Sequence, residues 1–453
     1  MDAMKKGCFI FILLLVQLTS WAQIKRTPEQ DSLIAQINRK TKGDHENMLA
    51  QLGIKTLRIG ASGTATAPNA ANYEESKAVI FPVLPSLLTT KGGQKVTTKK
   101  MWERVRRPEL FEEFDREIYG RVPLNTPKVQ WIVVSSQDDK IGNTEVLVQK
   151  LQGIVDHSNF PSIEVKMDLT LTLPKKSAKP VPVIVELSFV FPASMRPPVP
   201  ANTPVEPTWQ EQVIARGWGF ATIIPTSIQA DNGAGLTKGI IGLMNKGQHR
   251  KPEDWGSLRA WAWGTSRVLD FFLTQKQIDV KKIALMGHSR YGKAVAVAMA
   301  YDPRFATAFV SSSGEGGLKI HRRNYGEKVE NVTGSGEYHW MAGNFIKYGG
   351  PLQWSDLPVD AHELLALCAP RPVFVGAGST GDLWVDPKGM FEACVEADPA
   401  YRLYGKVGID RIEFPTIGTG ILTGQIAWRQ HEKGHTPGPN WPFFLDFATK
   451  YFN

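Results

Sequence analysis

A serine lies in a short turn between a predicted buried strand and a predicted helix. The strand is the apolar run 282–285, and the helix is the alanine- and valine-rich run 294–300. Ser289 has Gly287 before it and Gly292 after it, so little side-chain bulk surrounds the turn. A sharp strand-to-helix turn of this kind exposes the serine hydroxyl above the sheet. The helix N-terminus beneath it supplies N–H donors for a developing oxyanion. The segment therefore predicts a nucleophilic serine.

The turn departs from the usual nucleophile pattern, G-x-S-x-G. Its second glycine, Gly292, comes one place late, and Arg290 directly follows the serine. Lys293 comes next, so that the segment reads G-x-S-x-x-G-K.

The hydrophobic periodicity changes along the chain. Alternating runs at 129–134, 144–148 and 164–173 predict antiparallel strands. Later apolar runs alternate with helical patterns and predict buried parallel strands at 183–187, 220–224, 282–285, 307–310 and 372–375. Antiparallel strands leading into a doubly wound, mostly parallel sheet predict an α/β-hydrolase fold.

The chain begins with a pattern typical of a signal peptide. Lys5 and Lys6 are followed by the apolar run 8–16, and small residues precede Gln23. We therefore expect residues 1–22 to be removed and the protein to be secreted or periplasmic. Residues 23–453 are predicted to form a single catalytic domain. Its N-terminal segment, 23–100, has a short helical pattern at 44–53 and is expected to wrap around the rest. A second helix is predicted within 97–119, and its apolar stripe consists of Trp102, Val105, Leu110, Phe111 and Phe114.

Composition argues against several other classes of protein. The 42% hydrophobic and 21% charged residues are typical of a folded domain. The net charge of +9 comes without a basic block interleaved with aromatic residues, so we expect no nucleic-acid partner. After the signal segment no apolar run approaches the length of a membrane span, so we expect no membrane association. We predict a monomer without a metal or a cofactor. Cys368 and Cys394 remain, and their pairing is left open.

The serine needs a histidine to take its proton, and in this fold that histidine comes late in the chain. His431 and His435 are the late candidates. His435 lies in a loop-forming run rich in glycine and proline, whereas His431 follows bulky residues. The composition favours His435 as the base and a structural role for His431.

The histidine in turn needs a carboxylate to orient it. Asp382 and Asp386 follow the strand predicted at 372–375, and Glu315 follows the strand before it. Asp382 lies in the glycine-rich part of its turn and is the preferred candidate. Asp386 and Glu315 remain rivals. The alternative role for either aspartate is to cap a turn or a helix.

Several motifs resemble the glucuronoyl esterases of carbohydrate esterase family 15, whose nucleophile segment reads G-(C/H)-S-R-x-G-K. Residues 287–293 fit that pattern at every fixed position. Further matching segments follow in order: R-P-E at 107–109, Y-G-R-V-P at 119–123, D-W-G-S-L-R-A-W at 254–261, S-G-E-G-G at 313–317, P-V-D-A-H-E-L-L-A-L at 358–367 and D-L-W-V-D-P at 382–387. The resemblance extends from about residue 45 to the end of the chain.

The resemblance implies hydrolysis of the ester between the 4-O-methyl-glucuronate of glucuronoxylan and lignin alcohols. Ser289 would be the nucleophile, His435 the base and Arg290 a donor to the oxyanion. Lys293 and Glu327 would bind the sugar hydroxyls. Trp384 would pack on the sugar or its O-methyl group.

Ser312 departs from the pattern of many family members, which have the triad glutamate at this position. In the family's other pattern the acid belongs to D-x-W, which Asp382 supplies here. The alternative activities are those of another secreted carbohydrate esterase, an acetyl xylan or feruloyl esterase. A non-catalytic polysaccharide-binding protein is disfavoured by the intact serine turn.

Overall fold

The computed structural model describes residues 27–190 and 206–452. The predicted signal peptide, 1–22, lies outside these residues. The strands of the described part are β1 Val129–Ile141, β2 Thr144–Val155, β3 Lys166–Pro174, β4 Val181–Leu187, β5 Gly219–Ile223, β6 Ile278–His288, β7 Thr307–Ser311, β8 Val373–Ala377, β9 Gly420–Ile421 and β10 Ile426–Gln430.

These strands form one sheet in the order β1-β2-β3-β5-β4-β6-β7-β8-β10-β9. The pairs from β1 to β5 are antiparallel, the pairs from β5 to β10 are parallel, and β9 closes the edge antiparallel to β10. The structure confirms the α/β-hydrolase fold, with a mostly parallel sheet behind leading antiparallel strands.

The helices lie between and around these strands. They are α1 Pro28–Gln51, α2 Lys99–Met101, α3 Arg107–Glu113, α4 Trp209–Ala215, α5 Pro225–Ile228, α6 Gly239–Met244, α7 Ser257–Phe272, α8 Arg290–Tyr301, α9 Val329–Thr333, α10 Ala361–Ala366, α11 Pro387–Arg402 and α12 Trp441–Phe452. None of the helices in the described part of the chain is both long enough and apolar enough to cross a membrane.

Both faces of the central sheet are buried. Ile184 and Val185 are adjacent in β4, yet they belong to different hydrophobic clusters. The cluster around Ile184 includes Phe444 of α12, and the cluster around Val185 includes Leu258 of α7. Since successive strand residues point to opposite faces, burial on both sides explains why these strands are continuously apolar.

Two elements differ from the sequence predictions. Helix α1 begins at Pro28 rather than near Asp44, because Thr27 and Gln30 form a capping box at its start. The first half of the helix is mostly exposed and has no apolar stripe, so hydrophobic periodicity did not indicate it. The predicted helix at 97–119 consists of α2 and α3 joined and followed by π turns. These turns rotate the helical faces, and Val105, predicted to belong to the apolar stripe, is 40% exposed.

The two cysteines of the described chain do not pair. Cys368 and Cys394 are both buried free thiols. Each thiol instead lies near a carbonyl oxygen one helical turn earlier. Cys368 and Cys394, whose pairing the sequence left open, are therefore two buried structural thiols.

Candidate active site

Ser289 joins β6 directly to α8 in a strained backbone conformation. Its φ is 58° and its ψ is −130°, a region that non-glycine residues rarely adopt. A Cβ at Gly287 would lie 2.2 Å from the carbonyl oxygen of Tyr291, and one at Gly292 would lie 2.6 Å from that of Ser311. The second glycine is therefore needed at 292, where α8 approaches the end of β7. This close approach explains the displaced glycine of the motif.

The Ser289 hydroxyl is left open by its surroundings. Its backbone N–H donates to the Ser311 carbonyl at 2.9 Å, and its own carbonyl accepts from the Lys293 N–H at 3.1 Å. Within residues 27–190 and 206–452, no group forms a hydrogen bond with the hydroxyl itself. Bonds between nucleophile and base are often loose before substrate binds.

His435 and Asp382 are brought together from different loops. His435 lies between β10 and α12, and its Nδ1 lies 2.6 Å from Asp382 Oδ1. The second carboxylate oxygen, Oδ2, accepts hydrogen bonds from the Gly378 N–H at 2.6 Å and the Ser312 hydroxyl at 2.7 Å. Burial opposes ionisation of Asp382, but its hydrogen bond and charge interaction with His435 lower the pKa of this carboxyl below its ordinary value. A neutral His435 that donates through Nδ1 keeps Nε2 free as a base.

Ser312 has a definite place in this arrangement. It follows β7 with a φ of 45°, and its hydroxyl donates to Asp382 rather than to a histidine. Ser312 thus supports the carboxylate that comes from the neighbouring strand.

The rival carboxylates have other partners. Glu315 Oε2 lies 2.8 Å from Lys319 Nζ in a fully buried ion pair. Asp386 accepts from the Gly389 N–H at 3.0 Å as the cap of α11, and it pairs with Arg323 Nε at 2.8 Å. Neither has a hydrogen bond to a late histidine.

His431 is likewise held by its own loop. Its Nε2 lies 2.7 Å from the Thr436 carbonyl oxygen, and its Nδ1 accepts from the Lys433 N–H at 3.1 Å. Both ring nitrogens therefore have backbone partners. The structure places His435, and not His431, beside a buried carboxylate.

Arg290 is bound by an acid that the sequence analysis missed. Asp231 accepts from Arg290 Nη1 at 2.6 Å, from His339 Nε2 at 2.9 Å and from Trp340 Nε1 at 2.7 Å. The guanidinium also lies 5.2 Å from the centre of the Trp340 ring. Burial opposes ionisation of Asp231, but hydrogen bonding from His339 and the charges of His339 and Arg290 hold its pKa well below its usual range. Asp231 lies between α5 and α6, and no motif there marks it.

Lys293 and Glu327 form a buried ion pair. Lys293 Nζ lies 2.9 Å from Glu327 Oε2, and their side chains are 4% and 5% exposed. The ammonium also donates to the carbonyl oxygens of Ser313 and Glu315 at 2.7 and 2.6 Å. The Glu315 N–H donates to the same Glu327 oxygen at 2.9 Å. All three ammonium donors are thus used, and of the Glu327 oxygens only Oε1 accepts no hydrogen bond from the described residues.

Glu337 is a second residue that the sequence analysis missed. Its Oε2 is buried and has no hydrogen-bond partner among the described residues. Burial and the nearby charge of Glu327 raise the pKa of Glu337 well above its ordinary value, while Lys293 and Arg290 oppose this shift. A buried carboxyl oxygen without a partner is costly unless a ligand supplies one. Its loop, G-S-G-E, gives no sequence signal for such a role.

Trp384 connects Asp382 with Glu327 through the backbone. It lies two positions after Asp382 in a 3₁₀ turn, Leu383–Val385, and its carbonyl oxygen accepts from the Glu327 N–H at 2.8 Å. Its side chain is half-buried at the edge of the core. The structure therefore brings all the predicted sugar-contact residues to the same end of the sheet as Ser289.

A strained serine between strand and helix and a loop histidine bonded to a buried aspartate are the features of α/β-hydrolases with a serine nucleophile. Comparison with known proteins defines the family. A family model described as "Glucuronyl esterase, fungi" matches residues 241–405. A carbohydrate esterase, MZ0003, from an unknown prokaryotic organism is 32% identical over 410 residues, which are 84% of this chain and 92% of the relative.

Two further relatives agree. The solved structure of a CE15 glucuronoyl esterase from Teredinibacter turnerae T7901 is 48% identical with a TM-score of 0.86, and the match covers 91% of this chain and all of that one. A 4-O-methyl-glucuronoyl methylesterase from Cerrena unicolor is 26% identical over 368 residues, 79% of this chain and 68% of the relative. The chain belongs to the glucuronoyl esterases of carbohydrate esterase family 15 and is a carboxylic ester hydrolase. The resemblance found in the sequence is confirmed.

Proposed function

We propose that this glucuronoyl esterase hydrolyses the ester between the 4-O-methyl-D-glucuronate of glucuronoxylan and a lignin alcohol. The Cerrena unicolor relative is a 4-O-methyl-glucuronoyl methylesterase, which supports this choice of uronate ester. The observation that carries the proposal is the 2.6 Å contact between His435 Nδ1 and Asp382 Oδ1, at the same end of the sheet as the strained Ser289. The buried Lys293 and Glu327 pair beside it supports a polar sugar as the substrate.

In the first half of the reaction Ser289 Oγ attacks the carbonyl carbon of the uronate ester. Its proton passes to His435 Nε2, and Asp382 stabilises the imidazolium that forms. Collapse of the tetrahedral intermediate breaks the bond to the alcohol, and His435 returns the proton to the departing alkoxide. The uronate remains as an ester on Ser289.

In the second half a water molecule attacks this acyl-enzyme. His435 accepts one proton of the water and then gives it to Ser289 Oγ as the acyl bond breaks. The product is a free uronic acid, which ionises at neutral pH.

Arg290 stabilises the negative oxygen of both tetrahedral intermediates. Its backbone N–H belongs to the first turn of α8, where N–H groups have no partner within the helix. Its guanidinium is fixed by an ion pair with Asp231, whose Oδ2 lies 2.6 Å from Arg290 Nη1. Because a fixed charge of this kind interacts more strongly with an oxyanion than with a neutral ester, it accelerates the chemical step.

The sugar is recognised on the other side of the serine. Glu327 Oε1 and the Glu337 carboxyl are the acceptors left for sugar hydroxyls, and the half-buried ring of Trp384 offers a surface on which the sugar packs. Lys293 fixes the Glu327 carboxylate through its ion pair, and it contributes to sugar binding by holding that carboxylate in place.

The test is a comparison of methyl 4-O-methyl-glucuronate with an aryl acetate and a methyl ferulate as substrates of the wild-type enzyme and of Ser289→Ala. We expect kcat/KM to be at least about 100-fold higher for the uronate ester, and Ser289→Ala to remove activity on every ester. Faster hydrolysis of the acetate or the ferulate would favour the acetyl xylan or feruloyl esterase. An unchanged rate in Ser289→Ala would contradict both the glucuronoyl esterase and the alternative esterase assignments.

Secretion after loss of residues 1–22, a single catalytic domain over 23–453 and the monomeric state are further parts of the proposal. They rest on the sequence patterns described above. The proposed partner is the glucuronoxylan ester itself.

A further inference from the structure

The imidazole of His288 packs against the imidazole of His435. The two ring centres are 4.2 Å apart and the ring planes are inclined by 47°. His288 is the last residue of β6 and immediately precedes Ser289. A histidine at this position therefore touches the proposed base while its backbone leads into the proposed nucleophile.

His288 is anchored to the rigid part of the molecule. Its Nδ1 lies 3.0 Å from the Ser311 hydroxyl. Ser311 is the partner of His288 in the parallel ladder of β6 and β7, and its carbonyl oxygen accepts from the Ser289 N–H. The ring is thus held by the sheet that also holds the nucleophile.

His435, in contrast, lies in an irregular loop, and its side chain is 41% exposed. Within the described part of the chain its ring has one hydrogen bond, to Asp382, which fixes Nδ1 but leaves the ring free to rotate about that bond. A second surface against the ring fixes its plane and hence the direction in which Nε2 points. His288 supplies that surface.

The surroundings of His288 keep its imidazole neutral. His288 faces His435, Asp382 and His431. Burial, and after it the charge of His435, lower the pKa of His288 to about 3. Since His288 is uncharged at working pH, it does not oppose formation of the imidazolium on His435.

We infer that His288 is a positioning residue, which holds the ring of His435 in the orientation that aims Nε2 at Ser289. This inference rests on the proposed roles of Ser289 and His435. The contact between the rings of His288 and His435 is its basis, and the hydrogen bond between His288 and Ser311 holds the His288 ring in place.

The experiment compares His288→Ala with His288→Phe, which retains a flat ring. We expect His288→Ala to lower kcat for the methyl glucuronate ester by about 10- to 100-fold with little change in KM, because misplacement of a catalytic group affects the chemical step. His288→Phe should recover most of the lost rate. Inactivation of Ser289 by a sulfonyl fluoride, which depends on the same base, should slow in parallel with kcat.

His362→Ala is the matched control. His362 is also buried, but it lies on α10 and contacts the Pro85 carbonyl oxygen, outside the active site. Thermal unfolding of all variants separates stability from rate. Equal losses of kcat in His288→Ala and His362→Ala, or in His288→Ala and His288→Phe, would overturn the inference. Loss of activity in Ser289→Ala tests the proposed function independently of these outcomes.

Discussion

The catalytic and recognition sides of the proposed site hold their charged groups differently. On the catalytic side the proposed base, His435, is 41% exposed, and among the described residues its ring has one hydrogen bond, to Asp382. On the recognition side Lys293 and Glu327 are almost fully buried and bonded to each other and to backbone groups. A base must exchange protons with serine, alcohol and water, whereas a sugar-binding charge must keep one position. The difference in burial corresponds to this difference in task.

The largest effect is expected when the carboxylate of the catalytic side is neutralised. Asp382→Asn removes the charge that stabilises the His435 imidazolium, and we expect kcat to fall by about 10,000-fold. Steady-state kinetics on the methyl glucuronate ester measures this loss. Glu315→Gln is the control, since Glu315 is paired with Lys319 instead. A greater loss of kcat in Glu315→Gln would reverse the assignment of the acid.

A smaller and substrate-selective effect is expected on the recognition side. Lys293→Met leaves Glu327 buried without its cation, so we expect the free energy of unfolding to fall by about 3 to 5 kcal/mol. We also expect kcat/KM for the uronate ester to fall by about 100-fold, as for loss of a buried polar contact. Hydrolysis of an aryl acetate, which has no sugar, should change far less. Equal losses on the two substrates would show that Lys293 serves the chemistry and not recognition.

A substitution of Asp231 tests whether Arg290 acts on the catalytic side or on the recognition side, because Asp231 forms an ion pair with Arg290. Asp231→Asn keeps the size of the side chain but removes a charge-assisted hydrogen bond, and we expect kcat to fall by about tenfold with KM little changed. Asp302→Asn is the matched control, since Asp302 is also bound to an arginine, Arg304, at the far end of α8. A rise in KM at constant kcat would place Arg290 in sugar binding alone.

The smallest effect concerns the pH dependence of stability on the catalytic side. The pKa of His288 is about 3 in the folded protein and about 6.5 when it is unperturbed, because burial disfavours the charged ring. Its neutral state therefore adds stability that is complete above pH 6.5 and is lost as the pH falls toward 3. We expect His288→Phe to lose less unfolding free energy between pH 6.5 and pH 5.5, by at most about 1.4 kcal/mol. Urea unfolding at the two pH values measures this, and parallel curves for variant and wild type would contradict a buried neutral ring.

The parts that could be predicted from the sequence are local in the chain. The strand, serine turn and helix around Ser289 are adjacent, and the glycines record close approaches of the backbone. The late loop histidine and the aspartate after β8 follow from the order of elements in this fold, and the structure brings both together. β10, which leads to His435, escaped prediction because only its first three residues are apolar.

The remaining residues of the site have no local signature. Asp231 lies between α5 and α6, Glu337 lies in the G-S-G-E segment after α9, and His288 stands where the motif allows either cysteine or histidine. Each acquires its place through partners distant in sequence: Arg290 for Asp231, the buried charges around Glu327 for Glu337, and His435 for His288. Periodicity and spacing contain no information about such pairs.

The amino-acid sequence by itself determined the class of fold and the family and indicated the proposed nucleophile, because these depend on hydrophobic periodicity and on short motifs of adjacent residues. Only the tertiary structure placed Asp382, and neither of its rivals, against His435, paired Lys293 with Glu327 and placed His288 against His435. Burial and hydrogen bonding between separate loops arise only when the sheet brings the ends of its strands together. The choice among several chemically equivalent carboxylates is made by that packing.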